Sequence, residues 1–294
     1  MLLLDESAVH QRLSYQDLIP AIAQALADLS AGKVVQPVRV VLPIAPHAGF
    51  FGVMPAYAGG GALGAKLVTF YPQNAGIHTH HALIVMFKAV SGEPLAVLDG
   101  RLITEMRTAA ASAVATQHLA RPDARVLGIL GSGVQAQSHL AALRHCRAFT
   151  EVRVWSPRNA PAFAERHGVQ AVSSAADAVR GADVVVVAAS STTPILQRRW
   201  LSPGTHVNAI GATRPTWREL DDDLVTTARV FVDSREAALR ESGDVIAARS
   251  EVTEIGAVVA GAAPGRRDAH ESTLFKSVGV AVEDVAAAAL VLRA

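Results

Sequence analysis

Directly after the apolar run Val126-Leu127-Gly128-Ile129-Leu130 the chain reads Gly131-Ser132-Gly133-Val134-Gln135-Ala136, and this junction restricts the fold more than any other stretch. It fits the pattern G-x-G-x-x-A placed between a strand and a helix. The first glycine permits a tight turn, the second lets backbone approach a pyrophosphate, and the small third residue lets helix pack on strand. The helix that follows presents unsatisfied N–H groups and its positive end to phosphate. Glycine-rich turns also join strands to helices without binding anything, so the flanks decide. An apolar strand before and a helical repeat after select a dinucleotide site built from Gly131, Ser132, Gly133, Val134, Gln135 and Ala136.

The rhythm downstream agrees. Candidate strands fall at 126–130, 152–155, 169–172, 184–188, 206–210 and 230–232, with helical segments at 134–146, 161–167 and 175–181. Several strands are continuous β-branched runs, as expected where helices cover both faces of a sheet. Strand–helix alternation of this kind predicts a doubly wound parallel sheet that ends near residue 270, with a closing Ala/Val-rich helix over 278–292.

The second strand indicates which dinucleotide. A site for NAD usually carries Asp or Glu at this strand's end, to hold the ribose 2′-hydroxyl. Here the strand runs into Ser156-Pro157-Arg158-Asn159, with no acid. A hydroxyl and a guanidinium suit a 2′-phosphate, which Arg can pair through two charge-assisted hydrogen bonds. Ser156, Arg158 and Asn159 are therefore expected to favour NADP(H), with NAD(H) possible.

Before residue 115 the style differs. Short alternating segments at 37–43, 50–55, 65–70 and 82–90 are punctuated by Gly- and Pro-containing turns and predict a mostly antiparallel sheet. A helix with Leu18, Ile22, Ala25, Leu26 and Leu29 on one face precedes it, and an Ala-rich helix over 102–119 follows. Three cations stand in apolar company: Arg39 between Val38 and Val40, Lys66 on the strand face of Val68 and Phe70, and Arg107 in a helix of small residues. Singly, each reads as a snorkelling or salt-bridged side chain. Beside a dinucleotide domain they suggest a carboxylate pocket, in which a desolvated Lys can act as acid or base. His78, His80 and His81 lack an adjacent Cys or acid and read as a loop or strand-edge cluster; no metal is expected.

Composition excludes other classes. Lys plus Arg minus Asp plus Glu is 27 − 26 = +1, with half the residues apolar, which speaks against nucleic acid or an anionic membrane as partner. Cys146 is the only cysteine, so no internal disulfide forms, and a cytoplasmic, reducing location is expected. The N-terminus lacks the basic, then apolar, organisation of a signal peptide.

Taken together, several stretches resemble the ornithine cyclodeaminase/mu-crystallin family over nearly the whole length. They include Gln36-Pro37-Val38-Arg39, Gly52-Val53-Met54-Pro55, Lys66-Leu67-Val68-Thr69-Phe70, Arg107-Thr108-Ala109-Ala110, Trp217-Arg218-Glu219-Leu220, Glu241-Ser242-Gly243-Asp244 and Phe275-Lys276-Ser277-Val278-Gly279. The resemblance implies an α/β chain: a Rossmann-type doubly wound domain over 116–270 and an α+β substrate and dimerisation domain over 1–115, completed by 271–294. It implies a homodimer, Lys66 as the active-site lysine, Arg39 and Arg107 as carboxylate binders, and Ser277 and Val278 near the nicotinamide.

Departures narrow the activity. The family's cyclodeaminases carry an Asp where this chain reads Gly211-Ala212-Thr213-Arg214-Pro215, and a Glu where it has Gly52. Cyclising ornithine needs an amine deprotonated and a leaving group handled, work suited to carboxylates. Thr213 cannot serve as that base, though it can line the pocket. The resemblance is thus closest to the family's ketimine reductases and implies NAD(P)H-dependent reduction of cyclic imino acids to L-proline or L-pipecolate. Ornithine cyclodeamination, dehydrogenation of open-chain or N-alkyl amino acids, and non-catalytic binding of a thyroid-hormone-like ligand are the alternatives.

Overall fold

Side-chain acceptors start the first two helices: Asp5 takes the amide of Ala8 at 2.9 Å and Ser14 that of Asp17 at 3.3 Å. They open α1 (Glu6–Arg12) and α2 (Tyr15–Ser30), behind a short strand β1 (Leu2–Leu4). Then come β2 (Val34–Val35), β3 (Val40–Ile44), β4 (Gly49–Ala58), β5 (Ala62–Phe70), β6 (His80–Lys88), β7 (Pro94–Asp99) and α3 (Arg101–Leu119). Strands and helices alternate from β8 (Val126–Leu130) through α4 (Val134–Arg144), β9 (Glu151–Trp155), α5 (Ala160–His167), β10 (Gln170–Ala171), α6 (Ala175–Val179) and β11 (Val184–Val187). The remainder is β12 (His206–Ala209), α7 (Asp222–Thr227), β13 (Arg229–Val232), α8 (Arg235–Glu241), α9 (Gly243–Ala248), β14 (Val252–Glu254), α10 (Ile255–Val259), β15 (Thr273–Lys276) and α11 (Ala281–Arg293). The computed structural model describes residues 1–294 and divides into two units. Unit 1 is Met1–Arg107 with Gly279–Ala294; unit 2 is Thr108–Val278.

Unit 1 is built on a sheet of order β1-β7-β6-β5-β4-β2, with β3 on β4. Every pairing is antiparallel except β1 with β7. Directly opposed residues share a face. One row, Met54, Lys66, Ile84 and Leu98, is buried, as is the neighbouring row Ala56, Gly64, Met86 and Ala96. Helix α11 packs on this face against β4, β5 and β6, and against α2. The opposite face carries Val40, Val53, Leu67 and Leu83 in one row and Leu42 and Phe51 in the next. It stays uncovered within the chain: Val40 is 56%, Leu42 52% and Leu83 50% exposed.

The sequence places Arg39 inside a strand over 37–43, but β3 starts only at Val40, and Arg39 lies in the extended lead-in. Pro37 explains the delay, because it has no N–H for a ladder. Strands β1 and β7 escape the sequence reading. β1 has only three residues, and β7 starts on Pro94.

Unit 2 has a parallel sheet of order β10-β9-β8-β11-β12-β15-β13-β14 with helices between its strands, the Rossmann-type arrangement expected. The alternation does not stop near residue 270. β15 pairs with both β12 and β13 in the sheet interior, and the closing helix starts at Ala281. With only four residues behind the irregular 261–272 stretch, β15 carries no periodicity of its own. No helix is long and apolar enough to cross a membrane.

Gly128 sits in β8, between β9 and β11. A Cβ there would lie 2.4 Å from the Ala178 carbonyl oxygen and 3.2 Å from its carbon, both backbone atoms of α6. Backbone cannot swing aside as a side chain can, so Gly128→Ala should destabilise the protein by about 1–3 kcal/mol. A lower urea midpoint at unchanged m value would show this; an unchanged midpoint would not fit so close an approach.

Candidate active site

In unit 1 four separate segments bring charge together. Gln36 Oε1 accepts the amide of Val282 at 2.9 Å, which ties the segment before β3 to the first turn of α11, where no N-cap side chain serves. Three residues on, Arg39 Nη2 donates to the carbonyl of Gly279 at 2.5 Å. Gly279 has φ +75°, and a Cβ on it would fall 2.5 Å from Arg107 Nη1. One glycine thus holds Arg39 through its carbonyl and leaves room for Arg107 through its missing side chain.

Arg107 is 4% exposed on α3 and bound by two acids of α11. Its Nε donates to Asp284 Oδ1 at 3.0 Å and its Nη1 to Glu283 Oε2 at 2.6 Å. The other oxygen of Asp284 lies 2.7 Å from Lys66 Nζ. Lys66 is 2% exposed, in the apolar row of Met54 and Ile84. Burial pushes its pKa down from 10.5 to about 8; Asp284 opposes the fall, and Arg107 and Arg39 add to it. The ammonium therefore loses its proton within reach of neutrality, which an exposed lysine does not. The three cations flagged in the sequence share one cluster, and the sequence reading missed its acids. Glu283 and Asp284 were the available signal, since they are charges in an otherwise Ala/Val-rich helix, as Arg107 is in its own.

In unit 2 the glycine-rich turn has the strained geometry its pattern requires. Gly131 has φ +127°, and a Cβ there would lie 2.3 Å from the Ala188 carbonyl oxygen. Its amide donates to Trp155 O at 2.8 Å. A Cβ on Gly133 would meet nothing within 4 Å, which leaves open space at the N-terminus of α4 where phosphates would lie. Ala136 is fully buried against the sheet, Gln135 is half-buried and Val134 is exposed. These residues fit a dinucleotide: the backbone can approach and α4 opens with free amides. Ser132 Oγ and Ser156 Oγ are hydrogen-bonded at 2.8 Å, and Ser156 Oγ also accepts the amide of Asn159 at 3.1 Å. Arg158 is exposed in the same turn after β9.

The carboxyl ends of β12 and β15 are fixed by buried acids that the sequence reading also passed over. Asp233 Oδ2 accepts from Ser277 Oγ and from the Val278 amide, both at 2.9 Å. Glu219 accepts the Gly211 amide at 2.9 Å and meets Lys276 Nζ at 2.5 Å, with both side chains fully buried. Burial raises the Glu219 pKa, with Lys276 opposing and Asp244 reinforcing. Thr213 is half-buried in the loop this carboxylate holds. The histidines at the start of β6 and in the loop before it make ring contacts: His80 stacks on Phe70 at 4.3 Å, and His78 meets His81 edge-on at 6.1 Å.

Comparison with known proteins identifies the chain's relatives. The profile of the ornithine cyclodeaminase/mu-crystallin family matches residues 1–293. The ketimine reductase mu-crystallin of Rattus norvegicus is 49% identical over 298 residues, covering 98% of this chain and 94% of its own. A delta(1)-pyrroline-2-carboxylate reductase of Bacillus cereus is 34% identical over 305 residues, covering 97% and 94%. The structure of the Thermococcus litoralis delta(1)-pyrroline-2-carboxylate reductase in complex with NADH and L-proline superposes with TM-score 0.95 at 36% identity, over 100% of this chain and 97% of that one. This chain belongs to the ornithine cyclodeaminase/mu-crystallin family.

Proposed function

We propose that this protein reduces cyclic ketimine carboxylates, the five-membered Δ1-pyrroline-2-carboxylate and the six-membered Δ1-piperideine-2-carboxylate, to L-proline and L-pipecolate. The observation that carries the reading is the charge balance in unit 1. Lys66, Arg39 and Arg107 gather in one cluster with Glu283 and Asp284, and these five groups carry 3 − 2 = +1, a balance that favours an anionic ligand. A substrate carboxylate is such a ligand. That one relative is named a ketimine reductase and another a delta(1)-pyrroline-2-carboxylate reductase, and that a third was solved with NADH and L-proline, supports the same choice.

A nicotinamide cofactor, when bound, would supply the hydride that the imine carbon takes up. Arg39 and Arg107 hold the carboxylate, and Lys66 in its ammonium form keeps the ring nitrogen protonated, which makes the adjacent carbon the better acceptor. Gly131 to Ala136 would hold the pyrophosphate through backbone amides, and Ser277 and Val278 would line the nicotinamide side. Replacing a general acid typically costs about 10²–10⁴-fold in rate. Lys66→Met should lose turnover on that scale while its NADPH dissociation constant stays put, and near-native turnover would remove Lys66 from the chemistry. In the wild type, kcat/KM should fall about tenfold per pH unit above about 8, because the protonated amine is the active form below that value.

Ser156, Arg158 and Asn159, with no acid at the end of β9, support NADPH over NADH. Arg158→Ala should raise the KM for NADPH about tenfold and leave that for NADH unchanged. A wild type that uses NADH at least as efficiently as NADPH would reverse the assignment.

We also propose a homodimer. The uncovered apolar face of the unit 1 sheet, with Val40, Leu42 and Leu83 about half exposed, suits a second copy. Light scattering should give twice the chain mass for the wild type and the single mass for a Leu42→Asp, Leu83→Lys variant; a monomeric wild type would exclude the dimer.

A further inference from the structure

Arg107 has two carboxylates, Glu283 and Asp284, but Lys66 is paired with Asp284 alone. Asp284 is fully buried, on a helix whose neighbouring positions Val282, Val285, Ala287 and Ala288 are also buried and apolar. A carboxylate in such surroundings is costly unless its oxygens are satisfied. Here each oxygen meets a different cation, Oδ1 the Arg107 Nε and Oδ2 the Lys66 Nζ.

Resting on the function proposed above, we propose that Asp284 is a positioning residue for imine reduction: a single carboxylate clamps the proton-holding lysine and the carboxylate-binding arginine together. The two ends of the clamp are not equivalent. Without the Asp284 charge, Arg107 keeps Glu283 on Nη1, so the anchor for the substrate carboxylate survives. Lys66 would be left facing two cations, Arg107 from α3 and Arg39 from the segment before β3, with no anion beside it. Its ammonium form would then be lost at lower pH, and catalysis with it, while binding of the substrate carboxylate at acidic pH persisted.

This asymmetry separates positioning from a purely structural role. In Asp284→Asn the alkaline limb of kcat should move down by about one to three pH units, the range an opposite charge at contact typically controls. Below that limb, kcat and the KM for the imino acid should return to within about threefold of wild type. Loss of kcat by the same factor at every pH would overturn the proposal. A second readout needs no turnover. The chain has four lysines, Lys33, Lys66, Lys88 and Lys276, so the ¹³Cε signal of Lys66 can be assigned through Lys66→Arg and titrated by NMR. Its midpoint should fall in Asp284→Asn, and an unmoved midpoint would overturn the clamp. Asp284→Ser, which leaves room for water beside Nζ, makes the same test should the Asn variant not fold. A wild type inactive on cyclic ketimines would sink the functional reading, and the titration would still decide whether Asp284 governs Lys66.

Discussion

A lysine ammonium enclosed among Met54, Ile84 and Leu98 is the constraint around which unit 1 is arranged. Taking such a charge out of water costs several kcal/mol unless an anion goes with it. The anion comes from α11, which must therefore dock with Asp284 turned toward β5. Its entry is fixed by the amide of Val282 on Gln36, and Gly279, just ahead of that entry, is held by Arg39. The end of the chain is thus committed to the N-terminal unit by polar contacts as specific as its Val and Ala packing. Buried ion pairs contribute little net stability against apolar residues of similar volume, and here they fix one geometry.

Unit 2 uses buried acids differently. Glu219 and Asp233 accept from main-chain amides, at Gly211 and Val278, and Asp244 Oδ1 accepts from the amides of Glu219 and Leu220. Lys276 pairs with Glu219 and Asp244 from within. The contrast follows from what each unit has to present. In the proposed reading, phosphates would be bound by backbone N–H groups, for which the backbone at the strand ends has to be locked. A carboxylate would be bound by guanidinium and ammonium groups, for which the side chains have to be locked.

What the sequence disclosed, and what it hid, divides along the same physical line. The turn from Gly131 to Ala136 was legible because its glycines answer to local backbone geometry, a φ of +127° and a close approach to Ala188. Lys66 and Arg107 were legible because a cation in an apolar period stands out in one dimension. Strand β15 was not, since four residues have too little pattern to show that β12 and β13 flank them. Asp284 was the hardest to find, lying 177 residues from Arg107 along the chain. Yet three cations in apolar periods already imply buried anions, because a core that takes up one sign of charge must take up the other. Glu283-Asp284, the acids of the Ala/Val-rich closing helix, meet that requirement.

The same balance links anion and proton. With Lys66 protonated, the five charged groups sum to +1; with Lys66 neutral they sum to 2 − 2 = 0. Under the proposed function an incoming carboxylate is therefore drawn more strongly to the protonated cluster, and once bound it would add a negative neighbour that strengthens the lysine's hold on its proton. By linkage the two effects are equal in free energy: whatever the proton contributes to carboxylate affinity, the carboxylate returns to proton affinity. Lys66, whose pKa is lowered to about 8 chiefly by burial, would thus be charged most fully with substrate present. Imine reduction consumes one proton for each hydride, so a pocket that gains its proton together with its substrate is matched to the stoichiometry of the reaction.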